Sequence, residues 1–355
     1  VYFALPALAS ALVLAWPRAL NLLPTTSKET LRPSTDSLPD TCMRSEIGII
    51  RQNDGKILSY GTSDMAVMDS PQCAISLFDP ITPTSADGFT ALQNYARNRN
   101  AAACVYKCTA APATILRRKG WKLLRIAEEA VLTPQAFTEE GSSRRQLRRK
   151  LRQAAKAGVE VRAAAAHLPM TQMARVDQAW QHSNGIARGT TMGRFEPDYL
   201  SHQMVFLAWQ DHQIIGFVSF HVSTQEWCLD LVRICPGAPD GTGHALVREA
   251  IAAASDQSIP RLSLAAVPDH RLAQRVDKGL RRFKACFAPR WQPLYMAAPS
   301  WWQMAISIVE LARLVHRPPR LNSPQPEDRD PSIAATSPPP HNKDEQNGIA
   351  LSRSA

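Results

Sequence analysis

Three apolar runs follow one another in the second half of the chain: MVFLAWQ (204–210), IIGFVSFHV (214–222) and WCLDLVRI (227–234). Only Asp211-His212-Gln213 separates the first pair, and only Ser223-Thr224-Gln225-Glu226 the second. Runs rich in β-branched and aromatic residues, joined by turns this short, predict an antiparallel meander. It ends in Pro236-Gly-Ala-Pro-Asp240-Gly241-Thr242-Gly243, after which Val247, Ala250 and Ile251 predict a helix over about 243–255. RLSLAAV (261–267) and PLYMAA (293–298) read as further strands, the second preceding a last helix.

The first half is also mixed. IGII (47–50), AISLF (74–78), ACVYKC (103–108) and AEEAVL (127–132) read as strands, with a helix near 88–100. The class is α/β (α+β).

Between the halves lies RRQLRRKLRQAAK (144–156), with seven cations and no acid. Leu147, Leu151 and Ala154/Ala155 recur at helical spacing, Ser142 or Ser143 offers a cap, and Gly158 a stop. Such a helix cannot balance its charge by i,i+4 pairs. A solvated face is one reading. An anion-binding helix is the other, with Arg144, Arg145, Arg148, Arg149, Arg152 and Lys156 as contacts.

The formal net charge of +10 points the same way, toward nucleic acid or anionic lipid. Seven cysteines, odd in number and scattered, predict free thiols. His202, His212, His221 and His244 lack ligand spacing, so neither a metal nor another cofactor is expected. Residues 1–17 carry no charge, slightly short of the ~20 apolar residues a span needs. A truncated span, a lone anchor or a buried helix all fit, and the basic flank Arg18, Lys28 and Arg32 favours a cytosolic side for the downstream residues. Residues 317–355 hold eight prolines and no aromatic residue, which predicts a disordered tail.

Several strings carry a resemblance. Arg125-Ile-Ala-Glu128-Glu129-Ala-Val131 precedes the basic helix. Met192-Gly193-Arg194-Phe195 through Tyr199-Leu200 comes after it, then Leu229-Asp230-Leu231-Val232-Arg233, then Arg282-Phe283-Lys284 and Phe287-Ala-Pro-Arg290-Trp291-Gln-Pro-Leu-Tyr295. In this order they resemble the C-terminal catalytic domain of bacterial phosphatidylglycerol lysyltransferases, the multiple peptide resistance factor family, over about 43–316. The resemblance implies two GNAT-like acyltransferase lobes flanking the basic helix. It implies transfer of an amino acid, lysine or alanine, from aminoacyl-tRNA to phosphatidylglycerol. The partners would be aminoacyl-tRNA, as co-substrate, and the anionic inner membrane, with the catalytic domain on the cytoplasmic side. Membrane charge and resistance to cationic peptides would change accordingly.

The expected organisation is a membrane segment (1–21), a linker (22–42), an N-terminal lobe (43–140), the basic linking helix (141–159), a catalytic lobe with a terminal amphipathic helix (160–316) and the tail (317–355). The family's motifs fall on Asp230, Arg233 and Lys284 as catalytic residues, with Glu129 and Arg194 elsewhere in the cleft. Asp240, Gly241 and Gly243 would form a loop for donor or phosphate, presenting backbone N–H groups at a helix start. This chain departs from the family at His244 and at Ala265-Ala266-Val267.

An aminoacyl ester is already activated, so its transfer needs only a positioned hydroxyl and charge stabilisation for the oxyanion. Arg233 and Lys284 suit the oxyanion or a lipid phosphate. Asp230 suits the attacking hydroxyl or the donor's ammonium. Positions 230 and 233 face opposite sides of a regular strand, so sharing a cleft requires a bulge. The plainer alternatives are an Asp230–Arg233 structural ion pair and a surface role for Lys284. A GNAT-fold enzyme with an acyl-CoA donor or another acceptor, and an inactive basic membrane-associated binding module, are the rival functions. In the terminal helix, Met304, Ile308, Leu311 and Val315 share one face, and Trp301 and Trp302 resemble interfacial anchors. Packing on the core is the other reading of that helix.

Overall fold

The computed structural model describes residues 30–33, 38, 40, 42–82, 86–165, 167–185, 187–269 and 278–318. The membrane segment expected at 1–21 and the tail beyond residue 318 lie outside them. Among the described residues no helix is long and apolar enough to cross a membrane.

Among the described residues, twelve strands form one sheet. In the first half these are β1 (Thr30–Pro33), β2 (Lys56–Tyr60), β3 (Ser63–Asp69), β4 (Cys73–Leu77), β5 (Ala102–Cys108) and β6 (Lys122–Leu132). In the second they are β7 (Glu160–Ala163), β8 (Gln203–Gln210), β9 (Gln213–Val222), β10 (Trp227–Ile234), β11 (Leu262–Pro268) and β12 (Arg290–Ala298). The helices are α1 (Ala86–Asn98), α2 (Ala110–Arg118), α3 (Arg145–Lys156), α4 (Met170–Asn184), α5 (Pro197–Leu200), α6 (Thr242–Asp256), α7 (Lys278–Ala285) and α8 (Trp301–His316).

The sheet order is β1-β2-β3-β4-β5-β12-β6-β11-β10-β9-β8-β7. Advancing every strand of the first half by six, and setting back every strand of the second by six, reproduces this order in reverse. The molecule is therefore a pseudo-two-fold repeat about the antiparallel β6–β12 pair. Each half contains one parallel pair, β4 with β5 and β10 with β11, bridged by α1 and α6 respectively. The halves also exchange their last strands. β12 lies between β5 and β6, and β6 lies between β12 and β11. Two separately closed lobes are thus not what forms, because each half completes the other's sheet.

Alternate residues of the strands feed opposite faces. In the first half, Ile75, Leu77 and Cys104 pack with Ile47, Ile50, Met304 and Leu311, while Ala103 and Val105 pack with Phe89 and Leu92 of α1 and Leu116 of α2. In the second, Phe206, Val218 and Leu262 meet Leu246, Ala250 and Ile251 of α6 together with Leu147 of α3. Val205, Leu207 and Phe217 meet Met173 and Val176 of α4.

Five expectations change. IGII is part of a 3-10 helix, Ser45–Gln52, not a strand. Ile47, Ile49 and Ile50 are all buried, and such a continuous apolar run has no period that separates strand from helix. The presumed linker contributes β1, paired antiparallel to β2. Neither Ser142 nor Ser143 caps α3; both sit in a 3-10 turn before it, and its first turn has no side-chain cap. Ile308 does not join Met304 and Leu311 inward, but turns out at 43% exposure. The β8–β9 turn contracts to Asp211-His212, both at positive φ (48° and 63°), which is the backbone a two-residue hairpin requires.

Candidate active site

The parallel partners β10 and β11 pair only at Trp227 and Cys228 against Leu262 and Ser263. Past that point both strands are irregular, between Leu229 and Val232 in β10 and between Ser263 and Ala266 in β11, where Ala265 has φ 61°. A bulge inserts a residue, bends the strand and frees backbone groups, so the two strands open a wedge. In the first half β4 and β5 stay paired over Cys73–Leu77. The wedge thus belongs to the second half.

Asp230 occupies the β10 bulge. Its carboxylate accepts hydrogen bonds from the Tyr199 hydroxyl (2.7 Å), the Gln203 side-chain amide (3.0 Å) and the Gly193 N–H (3.0 Å). A Cβ on Gly193 would collide with that carboxylate, so the loop's approach depends on this glycine. The His221 Nε2 is 3.0 Å from the Tyr199 hydroxyl and 3.5 Å from Asp230. Burial lowers the His221 pKa, against the pull of Asp230, and burial followed by Asp230 raises that of Tyr199. His221 is therefore a packed histidine that braces this cluster.

Arg233 lies past the bulge but does not pair with Asp230. Its guanidinium donates to Asp177 of α4 (2.5 Å) and lies 4.0 Å over the Trp180 ring. The alternative of a local Asp230–Arg233 ion pair is replaced by a pair to a helix residue 56 positions earlier in sequence.

Lys284 is not a surface cation. It is 3% exposed, and its ammonium donates to the carbonyls of Ala265 (3.1 Å) and Ala266 (3.0 Å) at the β11 irregularity. Burial brings its pKa down to about 8. Glu46 acts electrostatically on both Lys284 and His221.

Behind the wedge runs a buried ionic network. Glu129, fully buried, accepts from Arg44 (3.1 Å), Arg261 (2.7 Å) and the Ser263 hydroxyl (2.6 Å). Burial alone would raise its pKa, but Arg44 and Arg261 hold it below the usual carboxylate value. Lys107 pairs with Glu46 (2.8 Å), and Arg261 also pairs with Glu226. Glu129 is thus structural, tying β6 to β11 and to the segment before the 3-10 helix. Glu46, Glu129 and Cys228 place their ligand atoms within 4.8 Å of one another. Both carboxylates are already neutralised by cations, and burial pushes the Cys228 thiol well up, which makes this a poor donor set for a metal.

Arg194 is positioned by its backbone. Gln52 accepts from its N–H (2.7 Å) and donates to its carbonyl (2.8 Å). The loop of Asp240, Gly241 and Gly243 turns toward protein. A Cβ at Gly241 (φ 99°) would collide with the Lys150 carbonyl of α3, and Asp240 pairs with the Lys150 ammonium. Gly243 packs near Ile234 and Phe283. These glycines permit close contact between α3 and the start of α6, rather than the open anion cradle expected of them. His244 is wedged against Phe283 and Phe287, and burial takes its pKa down to about 4.

The basic helix divides its cations. Arg144 lies 4.8 Å over the Phe137 ring, and Arg148 donates to the carbonyls of Glu139 (2.5 Å) and Gly141 (2.8 Å). Arg145, Arg149, Arg152 and Lys156 are exposed. At i, i+4, i+7 and i+11 they line one stripe, and none forms a salt bridge with a carboxylate among the described residues.

Sequence reasoning missed Tyr199's role, Gln203, Asp177, Trp180 and the Arg44–Glu46–Lys107–Glu226–Arg261 network. The available signal was single charged residues inside strands or beside apolar runs, without any spacing that joins them.

A bulged strand diverging from its parallel neighbour, with a held carboxylate on one side and a buried lysine on the other, defines a mixed α/β protein with its candidate site at the strand wedge. Residues 44–298 match the family described as phosphatidylglycerol lysyltransferase, C-terminal, and the chain belongs to that family. It is similar in fold to the C-terminal domain of a proposed lysylphosphatidylglycerol synthetase from Agrobacterium fabrum. That match has a TM-score of 0.73 at 23% identity, and covers 81% of this chain and 97% of that one. L-PGS from Bacillus licheniformis matches with a TM-score of 0.65 at 19% identity, over 77% of this chain and 92% of that one. In sequence, the chain is 28% identical over 211 residues to the lysylphosphatidylglycerol biosynthesis bifunctional protein LysX of Mycolicibacterium vanbaalenii, covering 56% of this chain. It spans only 18% of that relative's length.

Proposed function

We propose that this chain transfers an amino acid, lysine or alanine, from aminoacyl-tRNA to the glycerol head group of phosphatidylglycerol. The observation that carries this reading is the position of Asp230 and Lys284 at the two bulges of one strand wedge, within a chain of this family. Each half of the sheet, with its one parallel pair, corresponds to one GNAT-like unit, and the second half holds the reacting groups.

In the reaction a glycerol hydroxyl attacks the ester carbonyl of the aminoacyl-tRNA. A carbon–oxygen bond to the lipid forms, the bond to the terminal ribose breaks, and the hydroxyl proton ends on the ribose oxygen. Asp230, fixed by three donors, orients the hydroxyl and relays its proton. The Lys284 ammonium faces the oxyanion. Arg233, locked by Asp177 and Trp180, shapes the wall beside them. The Arg145–Lys156 stripe takes donor phosphates. A tRNA donor is cytosolic and so puts the proposed reaction at the inner leaflet, where the product would lower the negative charge of the membrane surface. An acyl-CoA donor is disfavoured by the loop at Gly241, which closes on α3.

The test incubates the purified chain with labelled lysyl- or alanyl-tRNA and phosphatidylglycerol, and separates lipids by thin-layer chromatography. A new amine-bearing lipid, less anionic than phosphatidylglycerol, is expected, with Asp230→Asn lowering its rate by about 10²-fold or more. An unchanged rate in that variant, or a requirement for coenzyme A, overturns the proposal.

A further inference from the structure

The helix α8 has two different long faces. Met304, Ile306, Leu311 and Leu314 are buried against the first half of the sheet. The opposite face carries Trp301, Ala305, Ile308 and Ala312, all exposed and spaced i, i+4, i+7 and i+11 along one stripe. Trp302 flanks it, and the two indoles are 58% and 57% exposed. Exposed tryptophans of this size, adjacent and at one end of an apolar stripe, are unusual on a water-facing helix. Indole favours the boundary between lipid head groups and acyl chains.

We infer that this face of α8 docks flat on an anionic lipid surface, and so carries the site to its lipid acceptor; the inference rests on the lipid-acceptor reading above. Charge supports this occupant. The one carboxylate of α8, Glu310, is buried and paired to Arg313 (2.5 Å). With that pair neutralised, Arg317 leaves a net positive charge at the far end of the stripe. Size argues against a second copy. A 16-residue helix is ~24 Å long, and a stripe ~10 Å wide offers about 250 Å², well under the ~800 Å² per partner of a stable interface. The chain beyond residue 318 has no aromatic residue with which to cover the indoles.

The end of α8 is also wired to the site. The Gly189 N–H donates to the Val315 carbonyl (3.2 Å), and the Thr190 hydroxyl donates to the Leu314 carbonyl (3.0 Å). Three residues further on, the Gly193 N–H donates to Asp230. A short loop therefore fixes the carboxylate relative to the docking face, so that a bound head group meets Asp230 at a set depth.

The test uses vesicles of phosphatidylglycerol with brominated acyl chains, which quench only tryptophans at the membrane boundary. The full chain is added without tRNA, and its fluorescence is compared with that of Trp301→Phe/Trp302→Phe. The wild type should lose emission that the double variant does not have to lose. Ile308→Asp, with an unchanged thermal midpoint, should need about tenfold more lipid for the same quenching. Equal quenched emission in wild type and double variant overturns the inference, whether the indoles are covered by a second copy or by the chain's own N-terminal segment. Docking is read here without turnover. Its failure leaves the aminoacyl-transfer reading standing, while a docked chain that forms no lipid product sinks that reading and keeps this one.

Discussion

Lys284 sits where its own charge is poorly solvated, with two backbone carbonyls in place of water. Its pKa of about 8 lies below the ordinary lysine value, so the folded chain holds this proton less tightly than the unfolded chain does. Folding is therefore penalised most below pH 8, and the penalty fades as pH rises toward the unfolded value. Activity has the opposite sign. The ammonium is the working form, so single-turnover transfer should decline as pH rises through about 8, and Lys284→Arg should flatten that limb at a lower rate. A wild-type rate that is level from pH 7 to 9 would exclude the role given to Lys284. Glu129 calls for a different experiment. Glu129→Gln leaves Arg44 and Arg261 short of a buried counter-charge, and should cost about 3–5 kcal/mol in urea unfolding. A loss below 1 kcal/mol would show that the network is not what holds β6 to β11. At this scale the sequence indicated which residues matter through their strings, but not their partners. Arg233 meets Asp177, and Asp230 meets Tyr199, only after strands and helices pack.

The α3 helix is the element most legible in advance, because its leucines and missing acids leave one face for the core and another for anions. What the sequence left open was which cations remain available. Arg144, Arg148 and Lys150 are spent on Phe137, on loop carbonyls and on Asp240, while Arg145, Arg149, Arg152 and Lys156 stay outward. Arg149→Ala/Arg152→Ala should weaken tRNA binding in a filter assay and flatten the plot of log affinity against log salt by about two units. An unchanged slope would remove the stripe from the donor site. The 3-10 helix Ser45–Gln52 is the instructive opposite case. Its isoleucines read as a strand because burial on all sides erases periodicity. Its Gly48 is needed where a Cβ would come within 2.6 Å of the His221 ring.

Across the whole molecule, the exchange of β6 and β12 joins two halves that sequence reading separates at the basic helix. Neither half closes its sheet alone, so thermal unfolding of the folded body should give one calorimetric transition with coincident loss of helix and strand signals. Two resolved transitions would mean that the halves fold independently. The repeat escaped sequence reading because its two copies share strand order rather than side chains. The β10 bulge, by contrast, was required in advance by the spacing of Asp230 and Arg233, though only in conditional form, while the β11 bulge was not. By itself the sequence determined the meander, the crossover helix α6, the cation-rich α3 and the strings that carry the family likeness. All of these depend on local pattern, period and neighbouring residue types. Tertiary structure alone decided the strand exchange, the wedge in the second half, the partners of Asp230, Arg233 and Lys284, and the outward turn of Ile308. Those depend on contacts between residues far apart in sequence, where burial, and not spacing, selects the partner.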